Sequence, residues 1–414
     1  MKRLETWHGA ALVTFAAAVP VGEGLAFGGI ALVALLLVLR RHQADWSVLT
    51  RGTTRTVLCA LGVWLAAGVV MIGLGGEGWL KPSEIAIWSP WLVVPVLVVS
   101  ATCLDRKWLH RAVVAFMIAL LVACVFGLIQ YVFNVRPGET ISRVAKTVAS
   151  QGRIPGQFHL SVAGGFFFHR LKMAHLLLIG VGLLTARQLF MSLTPRRRAV
   201  EVALLGLTGT TLLLTFARGA LLATGVAVAA CVLFASRRWR LAAFGGVLMA
   251  SIIVAGVPAV RERVVSMASQ GTSSVRGLIW SQGVRVLADH PLGTGLTNYP
   301  RVIGRYYDLV DPDFDIRTYP HSVVMASWVE SGPVGMVAYT WAWVAFFLCC
   351  VDVLRRRCGG AESVAAATGL FAVVALWVVG LTHDVLFHKP VALAFTAAVG
   401  LVIAWIDRPE PTES

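Results

Sequence analysis

The sequence predicts an all-α polytopic membrane protein with about twelve transmembrane helices and an external helical segment between spans 9 and 10. Three observations carry this. Only 14% of the 414 residues are charged, where a soluble globule carries about a quarter. Apolar stretches of 16 to 22 residues recur along the chain, each long enough to cross a hydrocarbon core of roughly 30 Å. Basic residues collect in alternate connections, the signature of membrane orientation. In lipid an unpaired backbone group is costly, so these stretches are expected to be helical.

In chain order the spans fall near 9–21, 24–39, 56–74, 85–103, 112–133, 171–190, 199–216, 219–235, 241–258, 321–350, 364–381 and 390–406. The first follows Lys2 and Arg3 like a signal peptide. No small-residue cleavage site follows and the chain keeps crossing, so it reads as a first anchor. Lys172 and His175 interrupt the start of the sixth, and the tenth is long enough to begin outside the bilayer or to tilt. The chain divides into 1–259, carrying spans 1 to 9 and an external loop at 134–170; an external helical segment at 260–320; spans 10 to 12 at 321–406; and a tail at 407–414.

Within the external segment, residues 274–289 read as an amphipathic helix, capped by Ser273 or Ser274 and stopped by His290-Pro291. Ile279, Trp280, Val284 and Leu287 form its apolar side. Gly293, Gly295 and Pro300 turn the chain, a short helix is expected at 299–309, and 311–315 is a polar loop.

An even number of spans puts both ends on one side. Connections on that side carry 20 of the 36 basic residues; the short connections opposite carry only Lys81, Arg218 and Lys389. Both ends are therefore expected to be cytoplasmic. The 13 remaining basic residues fall in long external segments, which escape the charge rule. The net charge of +15 thus follows topology and argues against a nucleic-acid partner. Six of the seven cysteines lie in or at the ends of apolar spans; Cys358 sits in a basic loop, and no spacing suits a zinc site or an external disulfide.

Several polar residues stand out against this apolar background. Arg218 occupies a hairpin with almost no loop between two apolar spans. It is either an arginine reaching for the interface or a guanidinium fork holding a phosphate. Arg276 lies in the first turn of the external helix, as a solvated residue or as part of an anion site with the backbone donors there. His321 stands where an external loop meets a span, as a hydrogen-bonder or a general base. These three are distant in sequence yet share the external face.

His383, Asp384, His388 and Lys389 form a compact polar hairpin. Its spacing matches no strong metal motif, and Lys389 touching a lipid or substrate phosphate is the better reading. Asp311, Asp313 and Asp315 alternate, but without a calcium loop's glycine and distal glutamate they read as an acidic turn. Arg143, Lys146, Arg153, Arg170 and Lys172 make the first external segment basic. Glu330, in Glu330-Ser331-Gly332-Pro333-Val334-Gly335, reads as a structural acid at a helix break, satisfying freed backbone groups.

Three stretches resemble the O-antigen ligase and polymerase superfamily of bacterial envelope glycosyltransferases. They are Leu214-Thr215-Phe216-Ala217-Arg218-Gly219-Ala220; Arg276-Gly277-Leu278-Ile279-Trp280 with Pro291-Leu292-Gly293-Thr294-Gly295 after it; and His321-Ser322 followed by Glu330-Ser331-Gly332-Pro333-Val334-Gly335. Phe216-Ala217 stands where the family more often has serine. The resemblance implies an inverting, metal-independent glycosyltransferase in the bacterial inner membrane, with its site facing the periplasm and no cofactor. Its donor is expected to be O-antigen polysaccharide on undecaprenyl diphosphate, and its acceptor a sugar hydroxyl of lipid A-core.

The family's two arginines and histidine carry over to Arg218, Arg276 and His321, with Lys389 and Trp280 as further candidate substrate contacts. Alternatives are an O-antigen polymerase, a protein O-oligosaccharyltransferase and, from another class, a lipid-linked-sugar transporter. The last should show an internal repeat and midplane polar groups. The sequence shows no repeat, and its polar cluster is one-sided.

Overall fold

The computed structural model describes residues 2–75, 89–133, 163–167, 170–256, 275–306, 320–356, 359–385 and 388–407. Among the described residues the regular structure is entirely helical. The helices are α1 (Lys2–Ala18), α2 (Glu23–Leu39), α3 (Gly52–Gly75), α4 (Val93–Cys103), α5 (Arg106–Phe133), α6 (Arg170–Phe190) and α7 (Pro195–Leu214). There follow α8 (Arg218–Leu233), α9 (Arg237–Gly256), α10 (Val275–Asp289), α11 (Tyr299–Val302), α12 (Val323–Arg356), α13 (Ala361–Gly380) and α14 (Lys389–Ile406).

Six of these are long and apolar enough to cross a membrane: α3, α5, α6, α12, α13 and α14. Apolar but shorter are α2, α4 with the turn before it, and α8. Each apolar stretch read from the sequence falls on a helix, with shifted ends. Helix α1 stops at Ala18 rather than 21, because Pro20 restricts the residue before it. Helix α4 begins at Val93, after a 3₁₀ turn at Ser89–Leu92. Helix α10 and the short α11 form near where the sequence placed them. The acidic turn at Asp311, Asp313 and Asp315, the basic residues Arg143, Lys146 and Arg153, and Cys358 lie outside the described residues.

The basic ends of the bundle are tied by polar contacts. Arg40, at the end of α2, donates from Nη2 to the carbonyl of Cys103, the last residue of α4, at 2.8 Å. Arg187 near the end of α6 pairs with Glu201 of α7 at 2.6 Å, both largely buried. Helix α12 shares an aromatic seam with α3 and with the turn before α4: ring centroids of Trp64 and Tyr339 are 5.0 Å apart, and those of Trp91, in that turn, and Trp343 5.6 Å apart.

Helix α12 is broken. Gly332 has φ 67° and ψ −175°, and Pro333 follows it. Proline has no N–H, so the carbonyl of Val329, four residues earlier, loses its helical donor. Thr294 supplies the replacement: its backbone N–H and its hydroxyl both donate to Val329 O, at 2.5 and 3.0 Å. Buried Glu330 reaches across rather than along its own helix: Oε1 accepts from the backbone N–H of Thr297 at 3.0 Å.

The two glycine-rich motifs are thereby one packing unit. A side-chain carbon at Gly332 would collide with Leu292 O, one at Gly293 would lie 2.7 Å from Gly332 N, and one at Gly295 2.8 Å from Ile72 Cα. Trp328 Nε1 donates to Pro291 O at 3.2 Å, and Leu296 N–H to Gly68 O at 3.3 Å. This latch fixes where α12 begins, and so where His321 stands.

Candidate functional site

Helix α7 ends at Leu214 and α8 begins at Arg218. The turn between them is held by Thr215, whose hydroxyl donates to Leu212 O at 2.6 Å and accepts from Ala217 N–H at 3.3 Å. Phe216 takes φ 52°, a conformation disfavoured for a bulky residue and concentrated at functional sites. Arg218 is exposed at this helix start. The adjacent Gly219 faces the α13–α14 hairpin: a side-chain carbon there would lie 3.6 Å from Thr382 Oγ1 and 3.8 Å from His383.

His321 precedes α12 and is the other strained residue of this end, with φ 47°. Its Nδ1 lies 3.1 Å from Asp384 Oδ1 in the hairpin. Burial pushes the Asp384 carboxyl up, but the hydrogen bond from His321 and the charges of His388 and His321 outweigh it. They hold it below the usual carboxylate range. An ionised carboxylate only accepts, so Nδ1 carries the hydrogen in neutral His321 and Nε2 keeps its lone pair.

A third imidazole, His383, lies between these parts. Its ring centroid is 6.2 Å from His321 and 5.8 Å from His175 of α6, and its Nδ1 shares a hydrogen bond with Thr382 Oγ1 at 3.1 Å. Cations of α6 act here: the charge of Arg170, its first residue, interacts with Arg218, and that of Lys172 reaches His388.

The structure therefore brings together Arg218, His321 and the 381–389 hairpin. Lys389 opens α14, with Nζ 3.8 Å from Glu23 Oε1 of α2. Arg276 is the second residue of α10, but its side chain lies outside the described part of the structure. Helix α10 itself packs against the start of α12, where a side-chain carbon at Gly283 would meet Met325 and, at 3.5 Å, Pro320. Trp280 on that helix is half-buried, and its indole N–H has no hydrogen-bond partner among the described residues. No group of three or more metal-ligating side chains comes together among the described residues.

Sequence reasoning named the polar hairpin yet did not join Asp384 to His321. The available signal was chemical. A histidine base needs an orienting acceptor, and Asp384 is an acid in the short connection between two apolar helices. Chemically, the site offers an imidazole oriented by a carboxylate, near the turn that carries Arg218.

Residues 203–340, about a third of the chain, match the family model for O-antigen ligase. This match supports membership of the O-antigen ligase superfamily. The matched stretch contains Arg218, Arg276 and His321, and ends before the hairpin that carries Asp384. The chain thus combines several helices long and apolar enough to cross a membrane with a stretch similar to the O-antigen ligase family. Among curated proteins none matches it.

Proposed function

We propose that this chain is an O-antigen ligase of the bacterial inner membrane. It transfers O-antigen polysaccharide from undecaprenyl diphosphate to a sugar hydroxyl of lipid A-core at the periplasmic face. The observation that carries the reading is the His321–Asp384 pair beside the Arg218 turn. In the twelve-span arrangement both ends are cytoplasmic, and the ends of α6, α7, α9 and α12 that carry Arg187, Arg197, Arg237 and Arg355 face the cytoplasm.

The chemistry follows from the residues. The acceptor hydroxyl gives its proton to His321 Nε2, and its oxygen attacks the anomeric carbon opposite the diphosphate. The carbon–oxygen bond to the diphosphate breaks, its electron pair leaves with the lipid diphosphate, and the anomeric configuration inverts. Arg218 and Arg276 hold the diphosphate and stabilise its growing charge; removing one such donor typically costs about 100- to 1,000-fold. Asp384 keeps His321 in the productive tautomer and stabilises the imidazolium. Trp280 and Lys389 border the substrate path. The reaction assigned here uses no metal; activity lost on exhaustive chelation and restored by magnesium or manganese would overturn that part.

The deciding experiment compares lipopolysaccharide gel profiles of a deletion strain with and without the gene. Loss of the ladder with accumulated lipid-linked polymer marks a ligase. Core bearing a single repeat marks a polymerase. Orientation is tested separately: cysteine replacing the exposed Leu292 should react with a membrane-impermeant thiol reagent in outer-membrane-permeabilised cells, and cysteine replacing Arg197 should not.

A further inference from the structure

One oxygen atom in the site serves two imidazoles. Asp384 Oδ1 lies 3.1 Å from His321 Nδ1 and 3.8 Å from His388 Nε2. The carboxylate is almost completely enclosed, its side chain 5% exposed, whereas His321 and His388 are 30% and 42% exposed. Two imidazolium ions cannot both draw full stabilisation from one enclosed carboxylate, so their protonation is coupled.

We propose that His388 is a positioning residue for the base, competing with His321 for Asp384 Oδ1 and so setting how strongly that carboxylate holds the His321 imidazole. This rests on His321 being the base. When His388 is neutral, Asp384 bonds His321 alone and stabilises the imidazolium formed as the acceptor loses its proton. When His388 is protonated, it draws on the same oxygen and repels a charged His321. The surroundings favour the first state. Burial lowers the His388 pKa most; the Asp384 charge raises it, and Lys172 of α6 and His321 lower it further, for a net pKa below the usual histidine value. The other titratable groups here are His175 on α6, His383 beside Asp384 in the hairpin, and Lys389 with Glu23 of α2. Lys389 is already matched by a carboxylate, which leaves Asp384 as the acid the two histidines share.

The test is the pH–rate profile of purified full-length protein, transferring undecaprenyl-diphosphate-linked polysaccharide to lipid A-core. His388→Asn removes a group that is neutral over most of the working range, so the acid limb should stay close to its place or rise slightly. His388→Lys installs a permanent cation, so the limb should move to lower pH, by about one unit, with a lower plateau. A limb lowered by the lysine and not by the asparagine supports the proposal. A residue that merely holds the hairpin would lower the plateau in both variants and leave the limb in place, and that result overturns it. Displacement of both limbs in the same direction also overturns it. His321→Ala in the same assay separates the parent reading: if that variant transfers within about threefold of the unaltered protein, His321 is not the base. Displaced limbs for the His388 variants would then belong to another group.

Discussion

Two buried polar regions of this molecule use the same materials to opposite ends. The latch between Gly293–Thr297 and Val329–Pro333 contains a buried acid, a threonine and backbone at positive φ. The site at the α13–α14 hairpin contains a buried acid, a threonine and strained residues at its edges. In the latch the carboxylate accepts a backbone N–H, and the carbonyl freed by proline is taken twice by Thr294. Its positive-φ backbone lies at Gly293, Gly295, Thr297 and Gly332, with the glycines where backbone approaches backbone. In the hairpin the carboxylate instead holds a titratable side chain, His321, whose ring remains partly open to solvent. Its strain falls on Phe216 and His321, which are not glycines. Buried polarity locks structure when its partners are backbone groups. It does chemistry when they are side chains that can change charge.

Substitutions should separate the two regions by what fails. The largest effect is expected at His321→Ala, which should lower transfer by about 100- to 10,000-fold while the protein inserts and melts almost as before. Arg218→Lys should also be severely impaired, because an ammonium keeps the charge but loses the two-pronged fork. Binding of a lipid-diphosphate donor to the purified variants tells them apart: His321→Ala keeps binding and Arg218→Lys weakens it. If His321→Ala lost donor binding instead, His321 would belong with the arginines.

The latch should fail as stability. Gly332→Ala puts a side-chain carbon into Leu292 O at a positive φ. Strain of that kind costs of order 1–3 kcal/mol, read as a lower melting temperature of detergent-solubilised protein. Glu330→Ala leaves the Thr297 N–H without its acceptor, costing about 1–3 kcal/mol. Glu330→Gln keeps a carbonyl oxygen there and should cost less. Activity lost in Glu330→Gln with an unchanged melting temperature would move Glu330 from the latch to the chemistry.

The smallest effect is a pH dependence of stability. Asp384 has a folded pKa below its unfolded value, so its contribution is present above the usual carboxylate range and is lost as pH falls through the folded value. His388 is depressed too, so its contribution is present above the ordinary histidine pKa and is lost as pH falls through its lower folded value. Both make the hairpin less stable in acid. Asp384→Asn should flatten the acid side of a melting-temperature curve, and an unchanged slope would show that the carboxylate is not tied to the fold in this way.

How much of this was legible beforehand differs between the two regions. The latch was half visible: Glu330-Ser331-Gly332-Pro333 announces a broken helix, and Pro-Leu-Gly-x-Gly announces a tight turn. Each reading is local. That the turn fills the break could not be read, because Thr294 and Val329 are 35 residues apart and their hydrogen bond has no periodic signature. The hairpin was visible as a polar island, and His321 as a lone histidine at a membrane boundary. Their union across 63 residues was not.

By itself, then, the sequence determined the helical class, the run of apolar helices and the polar residues that stand between them. These depend on hydrophobicity and charge summed along the chain, which lipid and water read without regard to distant contacts. Only the tertiary structure decided which acid meets His321, which carbonyl Pro333 frees for Thr294, and that Asp384 also lies near His388. Those choices rest on approaches of about 3 to 4 Å between side chains on different helices, fixed by how the helices pack rather than by any pattern within one of them.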